Sequence, residues 1–110
     1  ANPAETVLGG FLDRVAGEAR ERGMAVVGMK CLGGGRYVQP RSGVTAEGLI
    51  RYALFHTGVD LIIVGCSAPA EVETLVGQAL SGPLPDDDRT GLERLFTPRA
   101  AQLAFYRGRA

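Results

Sequence analysis

Tryptophan is absent from these 110 residues, histidine and lysine occur once each, and there are only two cysteines. The single His56 has no Cys or His companion at ligand spacing, which argues against a metal centre. Cys31 and Cys66 are too few for a disulfide framework and point to a reduced, cytoplasmic setting. Net charge is missing too: 12 Lys and Arg balance 12 Asp and Glu, which removes nucleic acid and anionic membrane as default partners. No apolar run approaches about 18 residues, and no charged-then-apolar leader opens the chain, so neither a membrane span nor a secretory signal is expected. The first residue is Ala rather than Met, and a piece of a longer chain is the expectation.

What is present is an ordinary globular balance, 45% hydrophobic and 22% charged, which argues against disorder. A compact chain of this mass would expose about 5,800 Å² of roughly 16,800 Å² in the extended state. Eleven of the twelve basic residues are Arg, which makes Lys30 easy to follow.

Leu8, Phe11, Leu12, Val15 and Ala19 form one helical face and predict a helix over residues 5–22, stopped by Gly23. Residues 24–29, Met-Ala-Val-Val-Gly-Met, read as a strand buried on both faces of a parallel sheet. Residues 30–44 form a Gly-rich loop of a length that usually has a function. Thr45 caps a helix over residues 46–57, with Leu49, Ile50, Ala53 and Leu54 inward and Gly58 closing it. Residues 60–65 are a second buried strand. Pro69 opens a third helix, whose apolar stripe is Val72, Leu75, Val76, Ala79 and Leu80, and Gly82 ends it. Asp86, Asp87 and Asp88 start a helix running to Phe96, and Thr97-Pro98 starts a last short one carrying Leu103 and Phe105.

Strands alternating with helices mean right-handed βαβ units and a parallel sheet. Two strands neither close a barrel nor cover their own faces and edges. Something else must do so: more of the same chain, another copy, or a partner.

In parallel α/β proteins ligands sit at the carboxyl ends of the strands. There the sequence places Lys30-Cys31-Leu32-Gly33-Gly34-Gly35-Arg36 and Gly65-Cys66-Ser67. Gly-rich amides, the helix start at Pro69 and the Lys30 charge suit a phosphate; the plain alternative is a flexible surface turn. The common phosphate motifs fail, since Gly34 stands where a P-loop spaced from Gly28 needs Lys, and Val38 where a G-x-G-x-x-G from Gly33 needs Gly. His56 and the paired cysteines read as packing residues, although Cys31 and Cys66 could meet at one rim. The Asp86–Asp88 run lacks a calcium-loop pattern. Tyr37 is a candidate ligand contact; Tyr52 and Tyr106 read as packing. No base-and-nucleophile pair presents itself, so the stretch binds rather than reacts.

The segment Gly23-Met24-Ala25-Val26-Val27-Gly28-Met29-Lys30-Cys31-Leu32-Gly33-Gly34-Gly35 resembles the seventh strand and following loop of the aldo/keto reductase family. Residues 45–54 resemble the helix before that family's eighth strand, and residues 61–73 the strand and its cofactor-side loop. Asn2-Pro3 and the tail through Phe105-Tyr106-Arg107 fit the flanking segments, so the resemblance spans essentially the whole chain.

The resemblance implies an α/β fold, a parallel βαβ segment of a (β/α)8 TIM barrel with about two strands and four to five helices. It further implies carbonyl reduction by NAD(P)H in the parent protein, a cytosolic oxidoreductase. By position, Lys30, Cys31, Leu32 and Gly33 would lie along the pyrophosphate and ribose. Gly65, Cys66 and Ser67 would approach the adenosine ribose and any 2′-phosphate, with Glu71 and Leu75 near the adenine. Many family members carry a basic residue where Glu71 stands and Asn where Leu75 stands; a carboxylate beside a 2′-phosphate favours NAD over NADP. The family's Asp, Tyr, Lys and His tetrad belongs to strands absent from this chain, so no residue here is assigned as catalytic. The small carbonyl substrate would be held by the missing N-terminal part. The other reading is a non-catalytic nucleotide-binding or association module that pairs through its open strand edges.

Overall fold

The computed structural model describes residues 1–108. The chain is mixed α/β, with two short parallel strands in an open sheet and helices before, between and after them. Helix α1 spans Pro3–Leu8; Asn2 caps it by accepting the Glu5 N–H, and Pro3 takes the first position, where its missing N–H costs nothing. The single helix expected over residues 5–22 is broken. Gly9 (φ 72°) and Gly10 (φ 102°) turn the backbone out of the helical region; a π-helical turn, Phe11–Val15, then leads into α2, Ala16–Glu21. Asp13 steadies the break by accepting N–H bonds from Gly10 at 2.6 Å and Arg14 at 2.8 Å. Gly23 ends α2 at φ 71°, as expected.

Strand β1 (Val27–Gly28) pairs in parallel with β2 (Leu61–Ile62), Val27 opposite Leu61 and Gly28 opposite Ile62. Asp60 fixes the register from outside the strand: its carboxylate accepts the Val26 N–H at 2.7 Å and faces Arg20 at 3.3 Å. Both strands are shorter than residues 24–29 and 60–65, and neither is buried on both faces. Met24, Val27, Met29, Leu61 and Ile63 are 46–62% exposed. An apolar strand is buried only where a second layer covers it, and none of the described residues forms a second layer over these side chains.

Helix α3 (Ala46–Leu54) is capped by Thr45, whose hydroxyl accepts the Gly48 N–H. Leu49, Ile50, Tyr52 and Ala53 are its buried residues. Helix α4 (Pro69–Leu80) begins at the expected proline, but its apolar stripe is uncovered: Leu75 is half-buried, and Val72, Val76 and Leu80 are exposed. Helix α5 (Asp86–Phe96) carries three aspartates in its first turn, complementing the positive end of the helix. The short α6 (Ala100–Leu103) and a 3₁₀ turn, Phe105–Arg107, follow.

The core sits among the helices rather than on the sheet. Ala4 of α1, Tyr37 and Val44 of the long loop, Leu49 and Tyr52 of α3, Leu92 and Phe96 of α5, and Ala100 and Ala104 form its main cluster. The total accessible surface, 7020 Å², exceeds by about a fifth what scaling gives a compact chain of this mass. Most of the large apolar side chains left in water belong to the sheet, α4 and the stretch around the π-helical turn. No helix among the described residues is long and apolar enough to cross a membrane.

Candidate functional site

Because the strands are parallel, both carboxyl ends open on the same side. The segments leaving them border two adjoining clefts, of about 330 and 300 Å³, that share Leu32, Val64 and Gly65. Lys30 and Cys31 line the first cleft; Cys66, Glu71 and Leu75 line the second. Gly33 lies beneath the site, buried against the core. Ser67 lines neither cleft and reaches the site through Glu71. A larger hollow of about 500 Å³, between the starts of α3 and α5, is bordered by Thr45, Asp87, Asp88 and Arg94 and holds none of the candidate residues.

The first loop has unusual backbone geometry. Lys30, at φ 57°, is the one non-glycine in the left-handed region among the described residues, and Gly33, Gly34 and Gly35 follow with positive φ. Gly33 is needed for space as well: a Cβ there would stand 2.6 Å from the Tyr37 ring. At Gly34 and Gly35 a Cβ would meet nothing within 4 Å, so this side of the loop is open to a ligand. Lys30 is exposed. Cys31 is buried, and burial pushes its thiol above the ordinary range, which keeps it protonated and a poor nucleophile.

The second loop is closed on itself. Glu71, in the first turn of α4, reaches back to Ser67, accepting its backbone N–H at 2.5 Å and its hydroxyl at 3.1 Å. The Ser67 backbone N–H, then its hydroxyl, hold the carboxyl of Glu71 below the usual range. The Ser67 donors therefore already face a carboxylate. The chemistry divides accordingly: the Lys30 side offers a cation and open backbone to an anion, and the Ser67 side offers a negative charge.

Tyr37 is not a ligand contact. It is 1% exposed, packs edge-on to Phe96 at 5.3 Å, and donates its hydroxyl to the Leu103 carbonyl. Tyr52 packs as expected, with its hydroxyl joining Thr6 at 2.6 Å and Glu93 at 2.8 Å. His56 accepts the Gly58 N–H on Nδ1, and burial lowers its pKa. No group of three His, Cys, Asp or Glu among the described residues is arranged to hold a metal ion.

Sequence reasoning missed a buried polar network behind the first loop. Glu5 is 3% exposed and is paired by Arg107 through both carboxylate oxygens; Tyr106 donates to it at 2.5 Å. Burial alone would raise the Glu5 pKa, but the hydrogen bonds from Arg107 and Tyr106 outweigh it and hold the carboxyl low. Asn2 joins Tyr106 at 2.9 Å and the Lys30 carbonyl at 3.4 Å. A charged residue on the inward side of α1 was the available signal; its partner lies 102 residues away.

No family model, curated protein or solved structure matches this chain.

Proposed function

We propose that this chain is the C-terminal, cofactor-gripping portion of an aldo/keto-reductase-like (β/α)8 barrel, holding part of a nicotinamide dinucleotide. The observation that carries the reading is the pair of parallel strands whose Lys30 and Gly65 ends border adjoining clefts. The uncovered faces of β1, β2 and α4 support it as well, because further strands and helices of a barrel would bury them. In this reading Lys30, Leu32 and the open backbone at Gly34 and Gly35 hold the pyrophosphate. Cys31 shapes the wall there, and Gly33 lets the loop lie on Tyr37. Gly65 and Cys66 border the adenosine ribose, and Leu75 packs against the adenine edge.

When bound, the dinucleotide would supply hydride for reducing an aldehyde or ketone; in this reading the acid that protonates the carbonyl would come from strands outside this chain. The residues present fit NAD better than NADP. A 2′-phosphate near Ser67 would meet the Glu71 carboxylate, a like charge that repels it. Titration of the full-length protein with NADH and NADPH, followed by nicotinamide fluorescence, tests the reading. Saturable NADH binding, weaker for NADPH by on the order of tenfold, is expected. Absence of binding by either nucleotide overturns it.

The open strand edges and the closure of Ser67 onto Glu71 favour a second reading, a non-catalytic association module. The coding sequence upstream of Ala1 separates the two. An Asp, Tyr, Lys and His set on four earlier strands supports the reductase, and a start codon immediately before Ala1 supports the module.

A further inference from the structure

We infer that Asn2 and Tyr106 are positioning residues for the strand-end loop: through them the C-terminal turn holds the Lys30 backbone in its left-handed conformation. Three segments far apart in sequence meet at one partly buried point. The Asn2 amide donates from one nitrogen to the Lys30 carbonyl at 3.4 Å and to the Tyr106 hydroxyl at 2.9 Å, while its oxygen caps α1. The Tyr106 hydroxyl donates its hydrogen bond to Glu5, so its oxygen is left to accept from Asn2. Arg107 completes the set by pairing with Glu5 and donating to the Gly9 carbonyl at 2.8 Å. No described buried side-chain nitrogen or oxygen is left unpaired, so each member is held in place by the next.

A non-glycine residue keeps a left-handed backbone only where its surroundings over-determine it. At Lys30 those surroundings include the Asn2 amide and the Gly33 N–H, which donates to the same carbonyl at 3.2 Å; the Ala1 ammonium donates to the preceding Met29 carbonyl at 3.0 Å. The Gly33 contact is internal to the loop; the Asn2 contact ties the loop to both ends of the described chain. The inference rests on the proposed cleft only for what the loop serves, not for how it is held.

Lys30 is the sole lysine, so a protease that cuts only after lysine reports on this loop alone, without ligand. Asn2→Ser keeps a helix-capping oxygen but removes the amide donor; Tyr106→Phe keeps the ring but removes the hydroxyl. Each should speed cleavage after Lys30 roughly fivefold, the population change expected for one lost hydrogen bond. Tyr52→Phe removes a hydroxyl of another buried network, one that does not touch Lys30, and should leave the rate unchanged at matched global stability. In a Lys30→Gly background, where glycine takes the left-handed region freely, Tyr106→Phe should no longer speed amide exchange at Gly34 and Gly35. Cleavage that follows overall melting equally in all three single variants overturns the inference, as does an exchange effect that persists in the glycine background. The nucleotide titration is read separately: loss of NADH binding with the cleavage pattern intact removes the cofactor reading and leaves the positioning role standing.

Discussion

Replacing Gly33 with Ala probes the contact on which the loop rests. Two costs add at this position. Gly33 has φ +58°, where an L side chain costs about 1–2 kcal/mol. The added Cβ would also stand 2.6 Å from two Tyr37 ring carbons, closer than real Cβ contacts come. The ring has little room to retreat, being edge-packed on Phe96 at 5.3 Å and tied by its hydroxyl to Leu103. Forcing atoms into such a site costs about 1–3 kcal/mol. The sum is about 2–5 kcal/mol, or a melting midpoint lower by roughly 10 °C or more at about 4 °C per kcal/mol. Gly34→Ala is the matched control: φ is +65°, but nothing lies within 4 Å, so only the conformational cost of about 1–2 kcal/mol applies. Thermal and urea unfolding of the two variants, followed by far-ultraviolet circular dichroism, gives the difference directly. Equal shifts would refute the claim that Tyr37 fills the space beneath the loop.

Three further outcomes are expected. Glu5→Gln should destabilise the chain by about 2–3 kcal/mol at neutral pH, since it breaks a largely buried pair with Arg107. Because the folded Glu5 pKa lies below its ordinary 4.5, the carboxylate's contribution is complete above that value and is lost as pH falls through the lower folded one. Urea midpoints measured from pH 7 down to about pH 2 should therefore fall less steeply for the variant than for the parent chain. Ile63→Ser should change the unfolding free energy of the 110-residue chain, from urea titration, by no more than about 0.5 kcal/mol, since Ile63 is 62% exposed. The same change should cost about 1.5–3 kcal/mol where added barrel strands cover that face. Glu71→Gln should narrow the gap between NADH and NADPH binding by removing the charge beside Ser67; an unchanged ratio in the fluorescence titration would separate Glu71 from the 2′-position.

The parts legible in the sequence are those set by local chemistry. Thr45 before α3, Pro69 at the start of α4, the aspartates opening α5 and the stops at Gly23 and Gly82 act within a turn or two of chain, and each stands where the residue type places it. The parallel pairing followed from alternation of strand and helix. The break at Gly9–Gly10 was obscured because the apolar face continues across it in register, from Leu8 to Phe11 and Val15. The exposure of Val27, Leu61 and Ile63 was not legible because apolar composition records a need for cover without saying what supplies it. At the site, Lys30, Cys31, Leu32 and Gly65 were brought together as the strand ends required. Tyr37 was misassigned because its partners, Phe96 and Leu103, are some sixty residues on. Glu5 on the inward side of α1 was a signal, but its partner Arg107 was hidden for the same reason, lying 102 residues away.

That span has a consequence for synthesis. Chains leave the ribosome from the N-terminus at about 5–20 residues per second, and contacts between distant positions come last. The Glu5 carboxylate and the Asn2 amide must stay hydrated while α3, α4 and α5 emerge, since Tyr106 follows Asn2 by 104 residues and Arg107 follows Glu5 by 102. Ordering of the Lys30 segment thus waits for the turn after α6: a nascent chain halted at Phe96 would lack the residues that fasten Asn2 and Glu5 behind the loop.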